Sequence, residues 1–163
     1  MTKYKFILDA SCGGRMFWFN KKQENTIFID NRELKDVLCD GRKFNINPDI
    51  LMDFKDLKFP NKSFKLVVFD PPHLLILGEK SWMAKKYGIL EKTWREDLKK
   101  GFNECWRVLE DYGVLIFKWN EDQISFKEVL GLFPIQPLFG HPTARSGKTK
   151  WFCFMKLPEE KNK

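Results

Sequence analysis

Apolar runs that close on an acid recur along the first half of this chain. "KYKFILDA" (3–10) closes on Asp9, "TIFIDN" (26–31) on Asp30, the weaker "DILMDF" (49–54) on Asp53, and "FKLVVFD" (64–70) on Asp70. Short apolar runs bounded by turn residues predict buried strands. A fifth run, "YGVLIFKW" (112–119), and two later ones, "IQPLFGH" (135–141) and "KTKWFCFMK" (148–156), extend the series. Helical spacing lies between them. Trp94, Leu98, Phe102, Cys105, Trp106 and Leu109 recur on one face and predict a helix over 91–110, with Gly113 as its C-terminal stop. A shorter helix is predicted over 123–133, ended by Pro134, with weaker helical segments at "NKKQE" (20–24) and "NRELKDVL" (31–38).

Strands apolar throughout, alternating with helices, predict an α/β fold with a mostly parallel sheet of about seven strands covered on both faces. Only the polar "PTARSGK" separates the last two strands, so they are expected as a C-terminal antiparallel hairpin. The 163 residues suit one domain, 1–163, with no repeat or linker and a frayed tail over 157–163. Lys and Arg outnumber Asp and Glu by 29 to 22, a basic excess that suits a polyanionic partner. The four cysteines are scattered and there are only two histidines, which argues against a zinc site or a disulfide framework. Reduced cysteines, too short an N-terminal apolar run for a signal peptide and no membrane-length segment point to a cytoplasmic protein.

In open α/β sheets, ligands bind beyond the carboxyl ends of the strands. Four successive strands ending in acids would line that rim with acceptors, and the first is followed by the turn Ser11-Cys12-Gly13-Gly14. This order of strands, acids and turns resembles the class I S-adenosylmethionine-dependent methyltransferases over residues 4 to 156. "FILDASCGGR" looks like their first motif, and "IFIDN" is similar to their second strand. "DILMDF" resembles the third, and "FKLVVFDPPH" the fourth, with the D-P-P-aromatic signature of amino-group methyltransferases acting on nucleic-acid bases. The resemblance implies a Rossmann-like methyltransferase fold with S-adenosylmethionine as cofactor. Asp9, Ser11, Cys12, Gly13 and Asp70 would line its binding site, with Asp9 ordering the glycine turn or meeting the cofactor's amine. Asp30 would accept the ribose hydroxyls, and Asp53 with Phe54 or Leu51 would meet the adenine. The glycine turn is shorter than the family's G-x-G-x-G, and little room for a helix remains before Thr26. "MFWF" (16–19) is read either as core or as a closure of the cofactor pocket.

The catalytic group implied by the resemblance is Asp70, Pro71, Pro72 and His73. An exocyclic amine is a poor nucleophile because its lone pair is delocalised into the ring. Acceptors for its N–H groups, the Asp70 carboxylate and the Pro71 carbonyl, favour the tetrahedral geometry needed for attack. A flat ring at position 73 would stack on the base. Here that ring is histidine rather than the usual Tyr, Phe or Trp.

The stretch 74–94 after His73 reads as a substrate lid or as an irregular helix. Lys118, Trp119, His141, Arg145 and Lys148 are candidate substrate contacts, with Lys150 a further cation for phosphates. "SGKT" (146–149) is no phosphate loop, because Pro142 stands where a glycine is needed and a strand follows. The expected activity is N-methylation of a base in DNA or RNA, adenine N6 before guanine N2. Methylation of a protein or small molecule is the next alternative, and a non-catalytic scaffold the last. With no room for a target-recognition domain, a partner subunit is one source of specificity.

Overall fold

Residues 4–37, 40–76, 81–141 and 147–158 are described by the structure, a computed structural model. In chain order the strands are β1 (Ile7–Asp9), β2 (Thr26–Asp30), β3 (Leu34–Val37), β4 (Lys43–Ile46), β5 (Ile50–Leu51) and β6 (Phe64–Phe69). Helices α1 (Trp82–Tyr87) and α2 (Trp94–Val108), strand β7 (Leu109–Asn120), helix α3 (Phe126–Leu130) and strand β8 (Thr149–Met155) follow. The main sheet has six strands in the order β5-β2-β1-β6-β7-β8. All pairs are parallel except β7 with β8. The chain moves outward from β1 in one direction through β2 and β5, then restarts at β6 and moves the other way. A topological switch point therefore lies between the carboxyl ends of β1 and β6, where crevices of such sheets form.

Burial sets the element boundaries. Leu98, Phe102 and Cys105 of α2 are fully buried and share one core with Val67 and Phe69 of β6 and Leu115, Phe117 and Trp119 of β7. Phe133 stacks on Phe102 at 4.1 Å and meets Phe117 edge-on at 5.1 Å. Gly101 lets α2 approach closely, since a Cβ there would lie 2.4 Å from Cδ2 of Phe54.

Several predicted elements take another form. Gly113 does not stop α2. The chain passes directly from Val108 into β7, and Gly113 lies within that strand, where a Cβ would be 2.7 Å from Leu109 Cδ1. The 31–38 segment is no helix, because Leu34–Val37 pairs antiparallel with Lys43–Ile46 as a separate two-stranded sheet. Residues 20–24 are turns, and the whole connection 10–25 contains no helix. Only five residues of 123–133 are α-helical. The expected hairpin shrinks to one bridge, Phe139 with Cys153, held by Leu138 N–H to Cys153 O and Cys153 N–H to Phe139 O, each 2.8 Å. Among the described residues the main sheet thus has six strands, with this bridge at its edge in place of a seventh. Among the described residues, no helix is long and apolar enough to cross a membrane. Arg145 and the end of the tail, 159–163, lie outside the described residues.

Candidate active site

A cavity of about 220 Å³ opens at the switch point, walled by the Ser11–Gly14 turn, Asp30, Phe54, the Asp70–His73 segment and Lys118. The last turn of α1 closes one side with Lys86 and Tyr87, and Met16 and Phe17 close another. "MFWF" thus divides its work. Phe17 faces the cavity, while Trp18 packs edge-on against Phe28 at 5.0 Å and Phe19 is fully exposed.

The four strand-end acids do not act alike. Asp9 is completely buried and does not line the cavity. Its carboxylate accepts from Ser11 N–H (3.2 Å) and from the Trp18 indole N–H (2.7 Å), so it orders the turn rather than meeting a ligand. Burial pushes its pKa from 3.8 up to about 7, against these hydrogen bonds and with the help of the Asp70 and Asp30 charges. Asp30 does line the cavity, and its Oδ2 accepts from Gly13 N–H at 2.9 Å. Gly13 has φ +48°, a left-handed conformation that glycine adopts without strain. Asp53 lies outside the cavity wall, where its Oδ1 accepts from Lys55 N–H (2.8 Å) in a local turn; only its neighbour Phe54 reaches the cavity. Asp70 lines the cavity beside β1, its N–H bound to Ser11 Oγ at 3.0 Å and its Oδ2 to Lys118 Nζ at 2.9 Å. Burial raises its pKa, and Lys118 opposes that rise.

His73 sits on the same wall, its ring 5.7 Å from Tyr87 and edge-on to Trp119 at 6.2 Å. Burial first, and the Lys118 charge second, push its pKa down to about 4. The ring is therefore neutral near pH 7, suited to stacking and to a single hydrogen bond rather than to carrying charge. Cys12 is buried in the turn and its thiol is pushed up to about 12, again chiefly by burial, so it is no nucleophile.

Of the substrate candidates among the described residues, Lys118 alone lines the cavity. Trp119 is a core residue, 1% exposed, with its indole N–H donated to Ile124 O at 2.9 Å. The Nδ1 of His141 meets the backbone of Trp151, and the exposed Lys148 pairs with Asp122. Lys150 is buried against Glu121 and over the Phe126 ring, so its charge is not available to phosphates. Among the described residues no cluster of three metal-binding side chains occurs.

Arg32 is a site residue that sequence reasoning misses. Its Nε donates to Asp30 Oδ1 (3.2 Å) and its Nη1 to Lys85 O (3.1 Å), tying the end of β2 to α1. Lys86 and Tyr87, delivered by α1, fall in the 74–94 stretch that reads as a substrate lid or an irregular helix, with neither singled out. The Ser81 cap of α1, whose Oγ accepts from Met83 N–H at 3.2 Å, is the one signal that a helix begins there.

No family profile and no curated protein sequence matches the chain. Solved structures do. A Haemophilus influenzae protein described as a proposed methylase superposes with a TM-score of 0.50 at 12% identity, over 96% of this chain and 89% of its own. A SAM-dependent methyltransferase from Leishmania major superposes with a TM-score of 0.51 at 15% identity, over 90% of this chain and 63% of its own. At these identities the likeness is one of fold, and the fold of this chain is the Rossmann-like α/β fold of those two proteins.

Proposed function

We propose that this chain transfers a methyl group from S-adenosylmethionine to an exocyclic amino nitrogen of a nucleic-acid base, with adenine N6 as the first choice. One observation carries the reading. The D-P-P-H segment and Asp30 with the glycine turn wall a single cavity, so an acceptor-activating group and a nucleoside-binding group face one space. The SAM-dependent methyltransferase from Leishmania major, which has the same fold, supports the cofactor class.

The residues present fit that cofactor. Asp30 offers carboxylate lone pairs to hydroxyls, and the Phe54 ring offers an apolar face. When bound, S-adenosylmethionine supplies an electrophilic methyl on a sulfonium and leaves as the neutral thioether. The remaining work falls to the chain. Asp70 accepts one N–H of the acceptor amine and Pro71 O a second, and both gain strength as positive charge develops on nitrogen. As the N–C bond forms, the nitrogen releases a proton, and the Asp70 carboxylate is the base beside it. His73, neutral and flanked by Tyr87, stacks on the base.

The test pairs two variants on labelled cofactor with DNA and RNA acceptors. Asp70→Asn is expected to lower turnover by about 10²- to 10³-fold, the cost of losing one preorganised partner of the transition state. The variant should still bind the neutral thioether like wild type. Asp30→Ala is expected to weaken cofactor binding by about 10- to 100-fold, from the loss of charge-assisted hydrogen bonds. Full turnover by Asp70→Asn would defeat the catalytic assignment.

A further inference from the structure

Lys118 stands where a cofactor cation would be least welcome, in the wall of the cavity proposed for a sulfonium. Its position is dictated by the sheet. Phe69 of β6 is in register with Phe117 of β7, so the next residues, Asp70 just past the end of β6 and Lys118 still within β7, are cross-strand neighbours. Alternation buries Leu115, Phe117 and Trp119 in the shared core and sends Lys118 to the opposite face. There its ammonium lies 5.1 Å from the Phe17 ring centroid and 5.6 Å from that of Trp151, and those rings meet edge-on at 5.3 Å. Two aromatic faces and one carboxylate hold the cation in place.

We propose that Lys118 is a positioning residue for methyl transfer: by binding Oδ2 of Asp70 at 2.9 Å it fixes the carboxylate and leaves Oδ1 for the acceptor amine. Among the described residues no donor binds Oδ1. This rests on the methyl-transfer reading of the cavity. The ion pair is neutral as a whole, so Lys118 adds no net repulsion toward a cationic cofactor while Asp70 remains ionised. It also keeps Asp70 ionised against its surroundings. Burial favours the protonated acid, and a protonated Asp70 would present a donor where the amine needs an acceptor. Of the other polar groups around the cavity, Arg32 is engaged with Asp30, Lys86 stands over the Tyr87 ring, and His73 is neutral near pH 7. That leaves Lys118 as the cation in contact with Asp70 among the described residues. Lys118 keeps its own proton throughout; the proton released by the amine goes to Asp70 and then to water.

The experiment is a pH titration of the Asp70 side-chain carboxyl by ¹³C NMR in the full chain. It is run on wild type, Lys118→Met and Lys118→Arg, beside the acid limb of turnover for each. Lys118→Met should move both the Asp70 midpoint and the acid limb up by about 1–3 pH units, the usual influence of an adjacent opposite charge. Lys118→Arg, which restores the cation, should return both toward wild type. A purely structural role would lower turnover at every pH without moving either midpoint. If wild type binds S-adenosylmethionine and transfers methyl groups, yet neither midpoint moves in Lys118→Met, the proposal is overturned and the methyl-transfer reading stands. If wild type binds no S-adenosylmethionine, that reading falls and the proposal falls with it. In that case the NMR midpoints report the ion pair alone.

Discussion

At the scale of single residues, the wall of the site depends on which acids are free to face it. Asp30 and Asp70 are legible in the sequence because each ends a strongly apolar run in a chain whose alternation places strand ends together. Asp9 and Asp53 carry the same signature and do different work. One is consumed by Trp18 and the turn, the other by the N–H of Lys55. Nothing in a strand-plus-acid pattern separates a carboxylate that faces solvent from one that satisfies its own loop, because both need the same residue type. Arg32 is hidden for another reason. It lies in a stretch whose Leu34, Val37 and Leu38 suggest a helix, so its guanidinium reads as part of a solvated face. Asp9 gives a prediction of its own. Its folded-state pKa of about 7 lies above the ordinary 3.8, so the folded chain holds this proton to higher pH than the unfolded chain does. Unfolding then releases the proton between about pH 4 and 7, and the Asp9 contribution to stability is fully present below that window and lost as pH rises through it. Asp9→Asn, which cannot ionise, should flatten this part of the pH–stability curve in urea melts. An unchanged slope would show that Asp9 is ionised in the folded protein.

At the scale of elements, the helix with the strongest sequence signal shapes the site from behind. α2 was expected over 91–110 and spans Trp94–Val108, its apolar face as the spacing of Trp94, Leu98, Phe102 and Cys105 predicted. What the pattern does not reveal is that Gly101 is there for Phe54. Alanine is intrinsically better than glycine in a helix by about 1 kcal/mol. Here its Cβ would fall 2.4 Å from the Phe54 ring. Gly101→Ala should therefore displace Phe54, and calorimetry should find cofactor binding weakened while circular dichroism shows the helix retained. The same helix clamps the loop before β6. Arg107 donates to Leu57 O at 2.8 Å, Phe59 O at 2.9 Å and the Glu104 carboxylate at 2.8 Å. Glu104 in turn accepts from Leu57 N–H at 2.9 Å. Arg107→Ala leaves those acceptors without a charged donor, and urea unfolding should show a loss of about 2–4 kcal/mol. The elements that sequence misplaced are short ones. β3 and β4 bury Phe44 and Ile46 through pairing with each other, a tertiary contact that overrides the helical spacing of 31–38.

At the scale of the whole molecule, sheet order turns a row of strand ends into one cavity. The mostly parallel sheet and the antiparallel pairing at the end of the chain follow from where apolar runs and turns lie, and that much was readable. The break between β1 and β6 is set by tertiary pairing and was not. The missing helix between β1 and β2 was signalled only by the shortness of 10–25. Its place is taken by aromatic and cationic contacts, with Trp18 edge-on to Phe28 and Arg15 over the same ring at 3.9 Å. The acceptor is the part of the account that lies farthest from the fold, since charge and the D-P-P-H wall bear on it while sheet order does not. The most direct measurement is therefore mass identification of the methylated unit after incubating the protein and labelled S-adenosylmethionine with unmodified DNA, ribosomal RNA, transfer RNA and a protein extract. The account expects label on an exocyclic amino nitrogen of a base, N6-methyladenine first, and its loss in Asp70→Asn. Label on a ring carbon, a ribose oxygen or a protein side chain, or equal labelling by Asp70→Asn, would contradict it.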